Sequence, residues 1–442
     1  MTTLAPRFAS GTNSAPRADL EGTAPAYVWL FIIGLVLTMF SGHSGDLGLP
    51  LPLDRPLLAF AALLWFLDPG RDRLRPRTFY VVAGLTVLWT TLSWVSSGAL
   101  NDSYKLFALV DRIIVPLVMF PLGAVIFSTS HRRELLLRSA SVLGIYLGVV
   151  GLLEYLGLYS LVFPGYISTL RDLTAEVRAG GPWLSPEPYG MVSALVMVLS
   201  VMLFRTARSS LWRVVAVAGV FGGLVGSVVC MTRSVWGAVL AMGLVIGLIL
   251  RRTRRLLPLI ILIVVGVAVA VLYAFPDFRE ALVARLTTER SVFDRQNTYD
   301  AAWRIVATLP LFGIGWGEFI NQNVLWVRQA DTYPVTTVTI EIHDVFLSRA
   351  AETGILGGLL WILCFATGPM LGLLARPRTP EAARWKLAGL AAFLIWLIPS
   401  LTSPNPYPMP NHLIWLVWGV AARGILVKLP ASPAPNPAPA SG

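Results

Sequence analysis

Between Leu256 and Phe275 the chain carries no charged side chain, and apolar runs of similar length recur along most of the sequence. A bilayer's hydrocarbon core of ~30 Å takes about 20 apolar residues per helix. Inside it every backbone N–H and C=O must be satisfied within the protein, which favours helices. The charge content agrees: 13% of residues are charged, against about 25% in an average soluble domain, too few to clothe a water-exposed surface. Apolar blocks near 26–40, 56–67, 78–96, 106–127, 135–157, 189–204, 212–229, 234–250, 256–275, 345–374, 387–402 and 411–427 predict an all-α, polytopic integral membrane protein. About twelve transmembrane helices are expected, with a long helical external loop over 276–344.

The membrane domain is expected to run from 26 to 428. Residues 1–25 and 429–442 are rich in Ala, Pro, Ser and Thr, a composition that cannot build a core, so both are expected to be disordered. The stretch opening at Ala26 reads as a span, because no small-residue cleavage site ends it as in a signal peptide. Cys230 and Cys364 fall in or beside spans and supply neither a disulfide framework nor a metal set. No metal, cofactor or nucleic-acid partner is expected.

Lysine and arginine gather in the short loops 68–77, 128–134, 205–213, 251–255 and 375–386. With twelve spans these lie on one face with both termini, and the positive-inside bias makes that face cytoplasmic. Arginines on the opposite face then need a reason. Nine of them, Arg171, Arg178, Arg233, Arg279, Arg285, Arg290, Arg295, Arg304 and Arg328, are confined to three external loops. Any one could be a solvated charge paired with Glu280, Glu289 or Asp294. As a cluster they point to an anionic ligand, since guanidinium matches phosphate oxygens bidentately and stays charged in a partly dry site.

The long loop opens with an amphipathic piece, Phe278–Arg290, and passes through Asp294–Tyr299 into a second helical piece ending at Pro310. Next comes Pro310-Leu311-Phe312-Gly313-Ile314-Gly315-Trp316-Gly317-Glu318-Phe319. Its glycines suit a tight backbone turn, and it lacks the Lys-Ser/Thr ending of a nucleotide loop. The loop closes at His343-Asp344, where Asp344 is a good N-cap for the following span. Of the four histidines, His131 lies on the cytoplasmic side, His43 in a short loop and His412 at the external start of the last span. Only His343 adjoins the arginine-rich loop. Charges inside spans are costly and usually paired, so Asp111 and Arg112 call for partners, and the i,i+3 spacing of Arg349 and Glu352 favours a structural pair.

From about residue 180 to 375 the chain resembles the O-antigen ligase and polymerase superfamily of membrane glycosyltransferases. Three elements carry the resemblance in order: Thr232-Arg233-Ser234-Val235-Trp236 after a short external turn; Arg295 followed by the Pro310–Phe319 segment, similar to "P-L-x-G-x-G-x-G-x-F"; and His343–Gly357, similar to "H-N-x-x-L" followed by "A-E-x-G-x-x-G". Two positions depart from the pattern. Asp344 stands where the family has Asn, and the family's T-x-S-R is rearranged to T-R-S, which leaves the register of Arg233 open.

The resemblance implies metal-independent transfer of a glycan from an undecaprenyl-diphosphate carrier to an acceptor hydroxyl, outside the bacterial inner membrane. Partners would be the lipid-linked glycan, an acceptor glycolipid or glycan, and the bilayer. Arg233, Arg295 and Arg178 would neutralise the departing diphosphate, and His343 would take or orient the acceptor proton. Glu187, at the external start of a span, either binds acceptor or sugar hydroxyls or answers the helix dipole. Asp344 is a second candidate for acceptor or sugar contact. The alternative is a transporter or flippase of lipid-linked polysaccharide. That would place polar residues through the spans and an internal repeat in the sequence, whereas here the polar chemistry is concentrated outside them.

Overall fold

The computed structural model describes residues 23–49, 51–98, 102–171, 178–287, 290–327 and 340–428. The expected tails fall largely outside these residues, as do Arg328 and the side chains of Arg171, Arg285 and Arg290. In chain order the helices are α1 (Ala26–Leu37), α2 (Asp54–Leu67), α3 (Thr78–Ser96), α4 (Ser103–Leu109), α5 (Val115–Ile126), α6 (Ser130–Tyr155), α7 (Tyr166–Arg171), α8 (Pro186–Thr206), α9 (Ser210–Val229) and α10 (Arg233–Ile249). They continue with α11 (Arg251–Ala274), α12 (Pro276–Thr287), α13 (Arg290–Thr308), α14 (Phe319–Trp326), α15 (Val345–Phe365), α16 (Leu371–Leu374), α17 (Pro380–Ser400), α18 (Pro408–Ala421) and α19 (Arg423–Leu426). Among the described residues there is no strand, only an isolated bridge between Leu74 and Val427. The protein is a multi-pass, all-α membrane protein.

All twelve apolar blocks are helical, but length separates them. Eight helices are long and apolar enough to cross a bilayer: α3, α4 continuing into α5, α6, α8, α9, the Thr253–Ala274 part of α11, α15 extended to Leu374, and α17. The other four blocks are α1, α2, α10 and α18. Of these, α2 and α18 have 14 residues each, about 21 Å at 1.5 Å per residue, and so fall short of a full crossing alone.

Small residues set the closest packing. A Cβ on Gly148 of α6 would run into the backbone of Gly222 of α9, and one on Gly419 of α18 into the carbonyl of Phe120 of α5. Close backbone approach replaces the hydrophobic drive that lipid removes. At the centre, Trp396, Trp415 and Trp418 are fully buried, and Phe365 packs on Trp396 and Trp415 with ring centroids 4.4 and 4.8 Å apart. Helix α11 is the opposite case: none of its apolar window is buried, and beyond its contact with α10 near Gly247 most of its surface is left to lipid.

The two ends of the bundle are distinct. At one, the basic loops are tied together: Arg133 to Glu381 at 2.7 Å, Arg423 to Asp72 at 3.2 Å, and Arg77 to the Ile425 carbonyl at 2.6 Å. The α9–α10 turn, the α12–α14 segment, the start of α15 and the α17–α18 loop meet at the other.

Candidate functional site

The glycine motif is a clasp on a broken helix. Gly354 interrupts α15 with φ +76° and ψ 171°, a left-handed backbone that side-chain-bearing residues rarely adopt. The break frees carbonyls that lipid could not satisfy, and the Pro310–Gly317 loop takes them. Ile314 N–H donates to the Ala351 carbonyl at 3.1 Å and Gly315 N–H to that of Glu352 at 2.9 Å; in return Ile355 N–H donates to the Pro310 carbonyl at 2.8 Å. Trp89 Nε1 donates to the Thr353 carbonyl at 2.8 Å. A Cβ on Gly313 or Gly354 would strike the opposing backbone, so the two glycine-bearing motifs fit only each other. A buried Lys105–Glu318 ion pair and a hydrogen bond from Trp316 N–H to Ser93 Oγ (3.1 Å) fasten the loop to α3 and α4.

With α15 so fixed, its start holds His343. Asp344 caps the helix, its Oδ1 accepting from Leu347 N–H at 2.8 Å, and Phe346 packs edge-on against Trp396, centroids 5.7 Å apart. The Nδ1 of His343 lies 2.9 Å from the Glu341 carbonyl. A carbonyl only accepts, so Nδ1 carries the proton and Nε2 keeps its lone pair. Burial first, and the positive Arg295 nearby, hold the imidazole's pKa below its ordinary value, against the Glu341 carbonyl and the charge of Asp294. The ring is therefore neutral at pH 7. The carboxyl of Asp344 is held above its ordinary value by burial, offset in part by the N–H groups it caps.

A charge clamp secures the carbonyl that sets this tautomer. Arg112 grips Glu341 with both terminal nitrogens, at 2.8 and 3.0 Å, and the Tyr104 hydroxyl donates to the same carboxylate at 3.2 Å. Burial works against the charge of Glu341, but Arg112 and Tyr104 keep its carboxyl below the ordinary range. Arg112 sits in a π-helical turn, Val110–Ile114, that joins α4 to α5. The turn points its neighbour Asp111 to Arg55 instead, at 2.9 Å.

Three of the nine arginines expected on the external face come together. Arg178 donates to the Thr232 hydroxyl at 3.0 Å and lies 3.4 Å from the Cys230 carbonyl, which ties it to the turn that delivers Arg233. That turn is tight enough to put Met231 at φ +44°. Buried Glu154 of α6 supports the same segment by accepting from the N–H groups of Gly180 and Gly181, at 3.1 and 2.8 Å. Arg295, on α13, is close enough to feel Arg233, Arg178 and Glu187. Burial and the two like charges hold its pKa below arginine's ordinary value, offset by Tyr299 and Glu187. Its buried Nε and the buried Oε1 of Glu187 have no hydrogen-bond partner, while Ser403 faces the Glu187 carboxyl. The hydroxyl of Tyr299, one turn beyond Arg295, lies 2.9 Å from the carbonyls of both His343 and Leu401 and donates its one proton between them, which joins the arginine helix to the histidine.

The remaining arginines do other work. Arg304 donates twice to the Trp326 carbonyl, at 3.0 and 2.7 Å, and Arg279 is exposed. Arg349 does not close an ion pair with Glu352. Its guanidinium lies over the rings of Trp316 and Trp361, 4.7 and 5.7 Å from their centroids, while the Glu352 charge still acts on it. His412 is fully buried within α18. Sequence reasoning missed Glu341, Tyr104, Tyr299 and Glu154. The one available signal was Arg112, an intramembrane charge that required a partner.

The arrangement thus offers two clustered functions. One is a cationic site of three arginines and one carboxylate, in which Arg295 Nε and Glu187 Oε1 have no hydrogen-bond partner. The other is a neutral imidazole with a fixed tautomer and an available nitrogen. A family described as O-antigen ligase matches residues 218–362, a stretch that contains Arg233, Arg295, the glycine clasp and His343 but not Arg178 or Glu187. No curated protein matches the chain.

Proposed function

We propose that this chain, a member of the O-antigen ligase superfamily through residues 218–362, is a glycosyltransferase that moves a glycan from an undecaprenyl-diphosphate carrier to an acceptor hydroxyl at the external face of the bacterial inner membrane. A ligase or polymerase role in surface polysaccharide comes with the family; the donor, the face and the residue roles are the proposal. The observation that carries it is the convergence of Arg178, Arg233 and Arg295 near a histidine held in its Nδ1–H tautomer.

The acceptor oxygen attacks the anomeric carbon while the bond from that carbon to the diphosphate oxygen breaks. The hydroxyl proton passes to Nε2 of His343, and the bonding electron pair leaves on the diphosphate. Its growing negative charge is met by the three arginines, whose effect is largest in a site with little water. Single displacement inverts the anomeric configuration. A His343 held neutral can accept the proton at pH 7, and Glu187 and Ser403 stand where sugar hydroxyls could be bound.

The deciding experiment uses purified protein with a polyprenyl-diphosphate-linked glycan and an acceptor glycan. A new, inverted glycosidic bond together with released polyprenyl diphosphate is expected. Passage of intact donor across a proteoliposome membrane with no new bond would establish the transporter reading in its place.

A further inference from the structure

At the end of the bundle opposite the arginine–histidine site, a cavity of about 510 Å³ opens where α16 gives way to α17 and α18 to α19. Its charged lining is Arg133, Arg376, Arg378, Lys386 and Arg423, with Glu381 as the single acid. Two of these cations have counter-charges, Arg133 in Glu381 and Arg423 in Asp72. Lys386 is held only by the Ala375 carbonyl, at 3.1 Å. Arg376 and Arg378 are exposed, and among the described residues no acid lies within ion-pair distance of either. The buried Nε of Arg423 also lacks a partner. Three cations therefore face one concavity without a counter-ion.

The rest of the wall is apolar: Gly372, Ala421 and the buried Trp385 form part of it. The cavity lies at the level where two bilayer-crossing helices end and begin, at Leu374 and Pro380. A soluble phosphate could use the rim but not this floor. A phospholipid has the charge for the one and the first carbons of its chains for the other. Basic pockets between helix ends at the membrane surface suit anionic head groups for these reasons.

We propose that this cavity binds the phosphodiester head group of an anionic membrane lipid, with Arg376 and Arg378 as its chief charge contacts. The site is separate from the glycan-transfer site, and its test reads no transfer activity. Full-length protein, stripped of lipid in a neutral detergent, is titrated with dioleoyl phosphatidylglycerol or dioleoyl phosphatidylcholine, and bound lipid is counted by native mass spectrometry. Each basic residue near an anionic head group contributes about fivefold in affinity. Arg376→Ala/Arg378→Ala is therefore expected to weaken phosphatidylglycerol binding about 30-fold and to leave phosphatidylcholine binding unchanged. Both side chains are exposed, so the double variant should fold, and an unchanged thermal transition checks this. Arg254→Ala/Arg255→Ala removes as much charge from the same end but outside the cavity, and should bind like wild type. The proposal is overturned if the first double variant retains wild-type phosphatidylglycerol affinity or if the second loses as much. Displacement of the lipid by equimolar inorganic phosphate would also overturn it, by making the site one for free phosphate.

Discussion

Both ends of the bundle carry arginines, more of them at the basic end, but the two ends place them differently. At the basic end Arg376 and Arg378 stand exposed on a short loop, where membrane insertion itself favours basic residues. At the other end Arg112 and Glu341 are only 14% and 18% exposed as a pair, and the Nε of Arg295 is sealed from solvent without a partner. Burying a guanidinium costs several kcal/mol unless it is paired or awaits a ligand. The difference teaches that charge on the first face follows from topology, whereas charge on the second has to be explained residue by residue.

The comparison breaks outright if the ends are misassigned. A reporter active only outside the cytoplasm should work when fused near Gln329 and be silent near Thr253; the reverse result would remove the external site altogether. Next in size, His343→Ala is expected to lower transfer by about 10²–10⁴, the contribution of a positioned general base. Binding of carrier-linked donor should persist, and a variant retaining more than about a tenth of the rate would exclude the base role. Arg233→Ala and Arg295→Ala should each cost about 10²–10³, as when one donor to a developing oxyanion is removed. Lysine at either position should restore only part, since it lacks the bidentate fork, and Arg254→Ala at the basic end should transfer normally.

Two smaller effects sharpen the account of His343. Glu341→Gln loosens the Arg112 grip on the side chain of the residue whose backbone carbonyl sets the tautomer, and a misplaced catalytic group costs up to about 10²-fold. Turnover should fall in protein that still reaches the membrane, and a wild-type rate would mean the clamp is only structural. Asp294→Asn should have the least effect. Asp294 raises the imidazole's pKa, so its neutralisation should lower that pKa and extend activity to lower pH, with the acid limb of kcat/KM moving down. Asp344→Asn should leave the limb in place, because the carboxylate faces Leu347 N–H and asparagine caps nearly as well. A shift larger in Asp344→Asn than in Asp294→Asn would reverse this assignment.

Much of the architecture could be read from the chain because its signals are local. Apolar runs mark helices wherever the solvent is lipid, and the long loop holds two helices, as expected, although α13 starts at Arg290 and takes in the Asp294–Tyr299 stretch that the sequence presents as leading into it. His343 and Arg233 stood out by position and by resemblance. The length of each crossing was less legible, since α2 and α18 are apolar blocks whose short helices depend on their neighbours. The glycine motif was seen as a turn, but its use could not be read: its partner is the break at Gly354, and neither half specifies the other without the packing of α15 against the loop.

From sequence alone came the membrane residence, the helical class, the basic face and a short list of arginines and one histidine. Those follow from hydrophobicity and charge, which each residue carries wherever the chain goes. Tertiary structure alone decided which three arginines meet, that the Arg349 guanidinium lies over two tryptophan rings, and which nitrogen of His343 is available. Arg112 and Glu341 are 229 residues apart, and Tyr299 and Leu401 102. Contacts at such separations depend on how whole helices pack, and a hydrogen bond that fixes a tautomer depends on tenths of an ångström that no residue pattern encodes.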